Sequence, residues 1–162
     1  MKNSKELFLS TFVGELPAFE RVLKALPKKN LAYTPHKVSK TAIQLASNFG
    51  NETMMFMPFL KAGLLDFSKV KAKEYKNVAA IIKDFKANSK KVVAFVKKMT
   101  DAQWDSTAKM SMGGKNEWKD TRGGMAWGFL VDMIHHRGQL STYIRPMGGK
   151  VPSIYGPSAD SK

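Results

Sequence analysis

A chain of 162 residues with 43% hydrophobic and 25% charged residues is the size of one compact domain and too apolar to stay disordered. The absence of cysteine excludes a disulfide framework, thiolate zinc sites and cysteine nucleophiles, and it suits a reducing compartment. Lys and Arg number 27 against 13 Asp and Glu, a net charge of +14, yet the lysines are scattered, with no arginine cluster or interleaved aromatics, which reads as a solvated surface and against specific nucleic-acid binding.

The stretch from Met1 to Leu7 has no apolar core of the kind a signal peptide needs, and no run approaches the roughly 20 residues of a membrane span. A cytoplasmic protein with no membrane partner is therefore expected. From Ser4 to about Ala25, Leu7, Phe8, Phe12, Val13, Leu16, Phe19, Val22 and Leu23 recur at spacings of three and four. That is an amphipathic helix, with Ser4 as its N-cap and a kink expected at Pro17.

Pro35 disfavours helix just before it, so residues 31–38 should run extended. A second helix starts at Ser39 or Thr41, where Thr41 and Gln44 have capping-box spacing. It passes into the run from Met54 to Leu60, apolar nearly all round, which predicts burial on several sides or a subunit contact. Pro58 should bend it and Gly63 end it.

A third helix is predicted from about Glu74 to Lys98, with Val78, Ile81, Ile82, Phe85, Val92 and Val96 on one stripe and lysines opposite. Thr100 with Gln103 caps a short extra helical turn. Residues 109–124 carry two pairs of glycines and read as a polar excursion or a short hairpin. The last long helix spans Met125 to Ile144, and the tail from Val151 to Pro157 is too rich in turn formers to be helical. Four main helices and almost no β-periodicity predict an all-α four-helix bundle, one domain over residues 1–162.

The last helix holds the chemistry. Asp132 and His136 stand one turn apart on one face, and the second helix offers Asn48 and Glu52 at the same spacing. A metal site in a bundle takes ligands from facing helices, so these four residues are the candidates; the alternative is a set of polar groups that simply hydrogen-bond one another. His135 faces about 100° away from His136 and cannot stand in for it.

The run His136-Arg137-Gly138-Gln139-Leu140, with Tyr143-Ile144-Arg145-Pro146-Met147-Gly148-Gly149 and Tyr155-Gly156 after it, closely resembles the end of the DinB/YfiT-like proteins. The resemblance extends in order and spacing over nearly the whole chain. It implies an up-down-down-up bundle with an irregular C-terminal tail, and a metal site of three histidines, one on the second helix and two on the last. Those positions fall at Asn48, Asp132 and His136, of which only His136 keeps the family residue. The resemblance thus implies a divalent-metal-dependent enzyme of thiol-transfer or hydrolase type, holding zinc, nickel or manganese through an atypical Asn/Asp/His set with Glu52 as an extra ligand. Arg137 and Tyr143 would bind an unidentified small-molecule substrate. The alternative is a non-catalytic bundle with a degenerate, metal-free site, acting as a small-molecule-binding or interaction module; a homodimer is expected.

Overall fold

The computed structural model describes residues 4–161. Four long helices form the bundle: α1 (Ser4–Ala25), α2 (Ala42–Ala62), α3 (Val78–Lys98) and α5 (Arg122–Ile144), with the short α4 (Asp101–Trp104) between the last two. Helices α1 and α2 each pack against both α3 and α5. They therefore sit on a diagonal of the bundle, in the up-down-down-up arrangement. One continuous cluster of buried apolar side chains fills the centre. Phe56 stacks on Phe129 at 4.8 Å, Phe8 meets Phe56 edge-on at 6.0 Å, and Phe19 bridges to Phe49 and Phe85. Such offset and edge-to-face pairs add to what area burial alone contributes.

Local signals set the helix ends. The Gln44 N–H donates to Thr41 Oγ1 at 3.3 Å while the Thr41 N–H donates to Gln44 Oε1 at 2.9 Å, and Thr100 with Gln103 repeats the same box ahead of α4. Gly63 ends α2 with φ +66°, its N–H donating to Phe59 O. A side chain there would be strained, and its Cβ would lie 2.9 Å from Arg122 Nε. Prolines do not interrupt the helices: α1 continues through Pro17 and α2 through Pro58. The third helix starts at Val78, four residues later than the apolar stripe suggested, because Asn77 takes the Ala80 N–H as N-cap. The segment before it is tied to α2, since Asn51 Oδ1 accepts from the Lys73 N–H at 2.8 Å and Asn51 Nδ2 donates to Lys73 O.

Residues 107–121 form a hairpin, and it belongs to a small sheet. Strand β1 (Leu64–Asp66) runs parallel to β2 (Thr107–Met112), which pairs antiparallel with β3 (Lys115–Thr121). The turn uses Gly113 and Gly114 at φ +63° and +75°. Asp66 Oδ1 accepts the Gly113 N–H at 2.9 Å, so the turn is anchored to the end of β1. The last helix begins at Arg122, three residues before the predicted start, because Thr121 Oγ1 accepts the Gly124 N–H at 2.9 Å and caps it. Strand β3 therefore leads without a loop into α5. Arg122 reaches back to Leu60 O and Lys61 O, covering the open carbonyls at the end of α2. No helix among the described residues is long and apolar enough to cross a membrane.

Replacing Thr121 by alanine removes the cap of the helix that carries the site, and is expected to cost about 1 kcal/mol in urea denaturation with an unchanged m-value. A loss within a few tenths of a kcal/mol would show that the hairpin alone sets where α5 begins.

Candidate metal centre

On α2, Asn48 and Glu52 stand one turn apart; on α5, Asp132 and His136 do the same, and the two pairs face each other across the bundle. His136 Nδ1 lies 2.8 Å from Glu52 Oε1 and 3.6 Å from Asp132 Oδ2. Glu52, Asp132 and His136 each present one potential ligand atom, and these three atoms lie within 4.8 Å of one another. Asn48 is placed differently from what the sequence positions imply. Its Nδ2 lies 3.3 Å from His136 Nε2, on the far side of the ring from the two carboxylates. Asn48 Oδ1 in turn accepts from Lys40 Nζ at 3.4 Å.

The electrostatics are set by one buried carboxyl, Glu52, held against an imidazole with a second, exposed carboxylate nearby. Burial pushes the Glu52 carboxyl above the usual range, against the pull of the His136 hydrogen bond. His136 is raised by its hydrogen bond to Glu52, against burial, which lowers it. Glu52 Oε2 is buried and has no hydrogen-bond partner. Leaving such an oxygen unpaired is costly, and a cation beside it would relieve that cost. Two carboxylates and one imidazole on facing helices also fit a divalent ion by donor type. The residues present therefore suit the group that the resemblance implies.

This cluster closes one end of a cavity of about 640 Å³. Its walls are mainly apolar, with Met55 from α2, Phe67, and Met125 and Phe129 from α5. The hairpin supplies Met110 and Trp118, which are cross-strand partners, together with Lys119 and Asp120. Sequence reasoning missed this wall, because a stretch that is polar overall conceals two apolar side chains set opposite each other. Methionine and tryptophan inside it are the signal that could have found it.

The other named residues lie elsewhere. Arg137 is 2% exposed and faces α1, where it pairs with Glu15, donates to the Tyr155 hydroxyl and lies between the Phe19 and Tyr155 rings at 4.7 and 4.9 Å. Tyr143 donates to Lys40 O at 3.1 Å and stands edge-on to Tyr33, beside a second, smaller cavity that His136 also touches. His135 is exposed on the outer face of α5.

Comparison with known proteins agrees with this architecture. The model of the DinB family matches residues 1–161. Similar solved structures include a DinB-like protein from Bacillus subtilis, 19% identical with TM-score 0.69 over 96% of this chain and 99% of that one. A DinB-like protein from Bacillus cereus is 17% identical with TM-score 0.72, over 91% of this chain and 95% of that one. YfiT from Bacillus subtilis, described as "a probable metal-dependent hydrolase with an unusual four-helix bundle topology", is 13% identical with TM-score 0.67, over 91% and 90%. No curated protein matches the chain.

Two expectations follow from the geometry. Both Glu52 and His136 bind a proton more tightly in the folded chain than in water, so their contribution to stability is complete below their ordinary values of 4.5 and 6.5 and is lost as pH rises through the raised ones. The stability difference between the metal-free protein and its Glu52→Gln, His136→Gln double variant should therefore shift against the natural sequence as pH is raised above 4.5 and on past 6.5, as read from melting curves; a constant difference would contradict this sign. Arg137→Ala leaves the part-buried Glu15 carboxylate with only the Tyr155 hydroxyl and empties the space between the Phe19 and Tyr155 rings, and should cost about 3 kcal/mol in urea denaturation.

Proposed function

The chain belongs to the DinB family, and on that premise we propose that it is a divalent-metal-dependent enzyme of hydrolytic type whose metal is held by Glu52, Asp132 and His136. The observation that carries this reading is the convergence of Glu52, Asp132 and His136 within 4.8 Å of one another in the lining of a cavity, with the second oxygen of the buried Glu52 carboxyl left without a hydrogen-bond partner. The description of YfiT as a probable metal-dependent hydrolase supports it by analogy of fold.

The donor set decides between ions and between reaction types. Two carboxylates and one imidazole are harder than three histidines, so they narrow the advantage of zinc and nickel, admit manganese more readily, and suit oxygen chemistry better than thiolate chemistry. A divalent ion, when bound, supplies Lewis acidity that polarises a substrate oxygen and acidifies water. The chain's own residues do the rest. Glu52 and Asp132 would balance the charge of the ion, and Asn48, beside the far nitrogen of His136, would fix the plane of the ring with its amide turned so that Oδ1 accepts from Nε2–H. Lys40, next to Asn48 at the rim of the cavity, offers a positive group to an anionic part of the substrate. Asp132, whose side chain is 58% exposed, is the ligand nearest to solvent.

A second reading has its own observation. Lys40, Asn48, His136 and Glu52 already form a continuous hydrogen-bonded chain, so the set could serve as a metal-free polar floor for a bound small molecule. Protein made without a histidine tag and stripped with chelator separates the two. Manganese at about 100 times its Kd should stabilise the natural sequence by about 2.7 kcal/mol and leave Glu52→Gln and Asp132→Ala unaffected. If manganese, zinc and nickel all leave the melting temperature unchanged, the metal-dependent reading is wrong and the polar floor stands.

A further inference from the structure

We infer that the cavity takes an unbranched aliphatic chain ending in an oxygen-donor head group, the chain lying along α5 and the head at Glu52, Asp132 and His136; the head-group half of this inference rests on the metal reading above.

One row of α5 runs the length of the cavity. Gly124, Gly128, Asp132 and His136 are spaced four apart, so they lie on one face, and all four line the cavity. Two turns without a side chain thus lead to two turns that carry the site. Gly124 is explained by packing, since a Cβ there would lie 2.2 Å from Asp120 Oδ2. Gly128 is not. A Cβ at 128 would meet nothing within 4 Å, and its φ is not in the left-handed region. A glycine in a helix interior costs stability relative to alanine, and here neither sterics nor backbone geometry asks for one. Gly14 and Gly138 have similar open space, but neither lines this cavity. What distinguishes 128 is that the free space lies inside the cavity, next to the ligand cluster.

The walls and the end of the row then define the ligand. Met55, Met110, Met125, Phe129 and the half-exposed Trp118 line the same open cavity as Gly128, and methionine adapts its shape to a flexible apolar chain. From Gly124 to Asp132 the helix rises about 12 Å, which sets the length of the bare stretch. At its end Glu52 lines the cavity beside Asp132 and His136, and one oxygen of its buried carboxyl has no hydrogen-bond partner, which marks where polar chemistry is missing. Lys40 lines the same end, and with a divalent ion in place the local charge would accept a hydroxamate, carboxylate or other oxygen donor.

The test uses hydroxamates of increasing chain length, from acetohydroxamate to decanohydroxamate, titrated calorimetrically into the manganese-loaded full chain. Affinity should rise about threefold to fourfold for each added methylene until the cavity is full. In Gly128→Leu this rise should vanish while the affinities for manganese and acetohydroxamate stay within about twofold; Gly138→Leu, on the same helix but outside the cavity, should behave as the natural sequence. A flat dependence on chain length, or an equal rise in Gly128→Leu, would overturn the inference while leaving the metal reading intact. If manganese does not bind, the metal reading fails and the head-group half of the inference with it. The chain half is then read on metal-free protein, where straight-chain alcohols of the same lengths should perturb the fluorescence of the natural sequence and not of Trp118→Phe. No difference between those two proteins would overturn it.

Discussion

The contact between His136 and Glu52 is the constraint around which the bundle is arranged. It joins the middle of α5 to the middle of α2 at 2.8 Å. To exist at all it needs both helices in register, since each contributes a second polar group one turn away. A buried carboxylate and imidazole contribute little net stability, because desolvation offsets most of their attraction. The stability that holds them together comes from the aromatic layer beneath, where Phe56 and Phe129 stack between the same two helices. Function and packing are thus separated by depth within one helix pair.

They are also separated by direction around α5. His136 turns toward α2 and the cavity, and Arg137, the next residue, turns toward α1 and the tail. A step of 100° moves the chain from the chemical face to the structural one. The adjacent pair looks like a single motif in the sequence, and in space it is two sites with no partner in common. The guanidinium is buried at low cost because it is satisfied from three sides, by the Glu15 carboxylate, the Tyr155 hydroxyl and two ring faces.

The helices and their caps were legible because their causes are local. Apolar spacing placed α1 and α2, and the boxes at Thr41 and Thr100 formed as their spacing required. The start of α5 falls earlier than its apolar spacing indicates because its cap, Thr121, is the last residue of the hairpin, whose limits the sequence left open. Strand β1 is three residues long and β3 is exposed on both sides where described, so neither carries the alternation that marks a half-buried strand. Within the site, the facing pairs could be read from their spacing, but the inward turn of Glu52 could not. In a helix with apolar residues nearly all round, the pattern does not say which polar residue faces the partner. Asn48 shows the same limit, since only distance reveals which nitrogen of His136 it meets.

The contact of Glu15 with Arg137 and Tyr155 joins positions separated by up to 140 residues. Closing so long a loop carries a large entropic cost that no local structure defrays. The clasp therefore does nothing for α1 on its own: Glu15 gains its partners only when α5 and the tail close over the first helix, so one carboxylate ties an early part of the chain to two later ones.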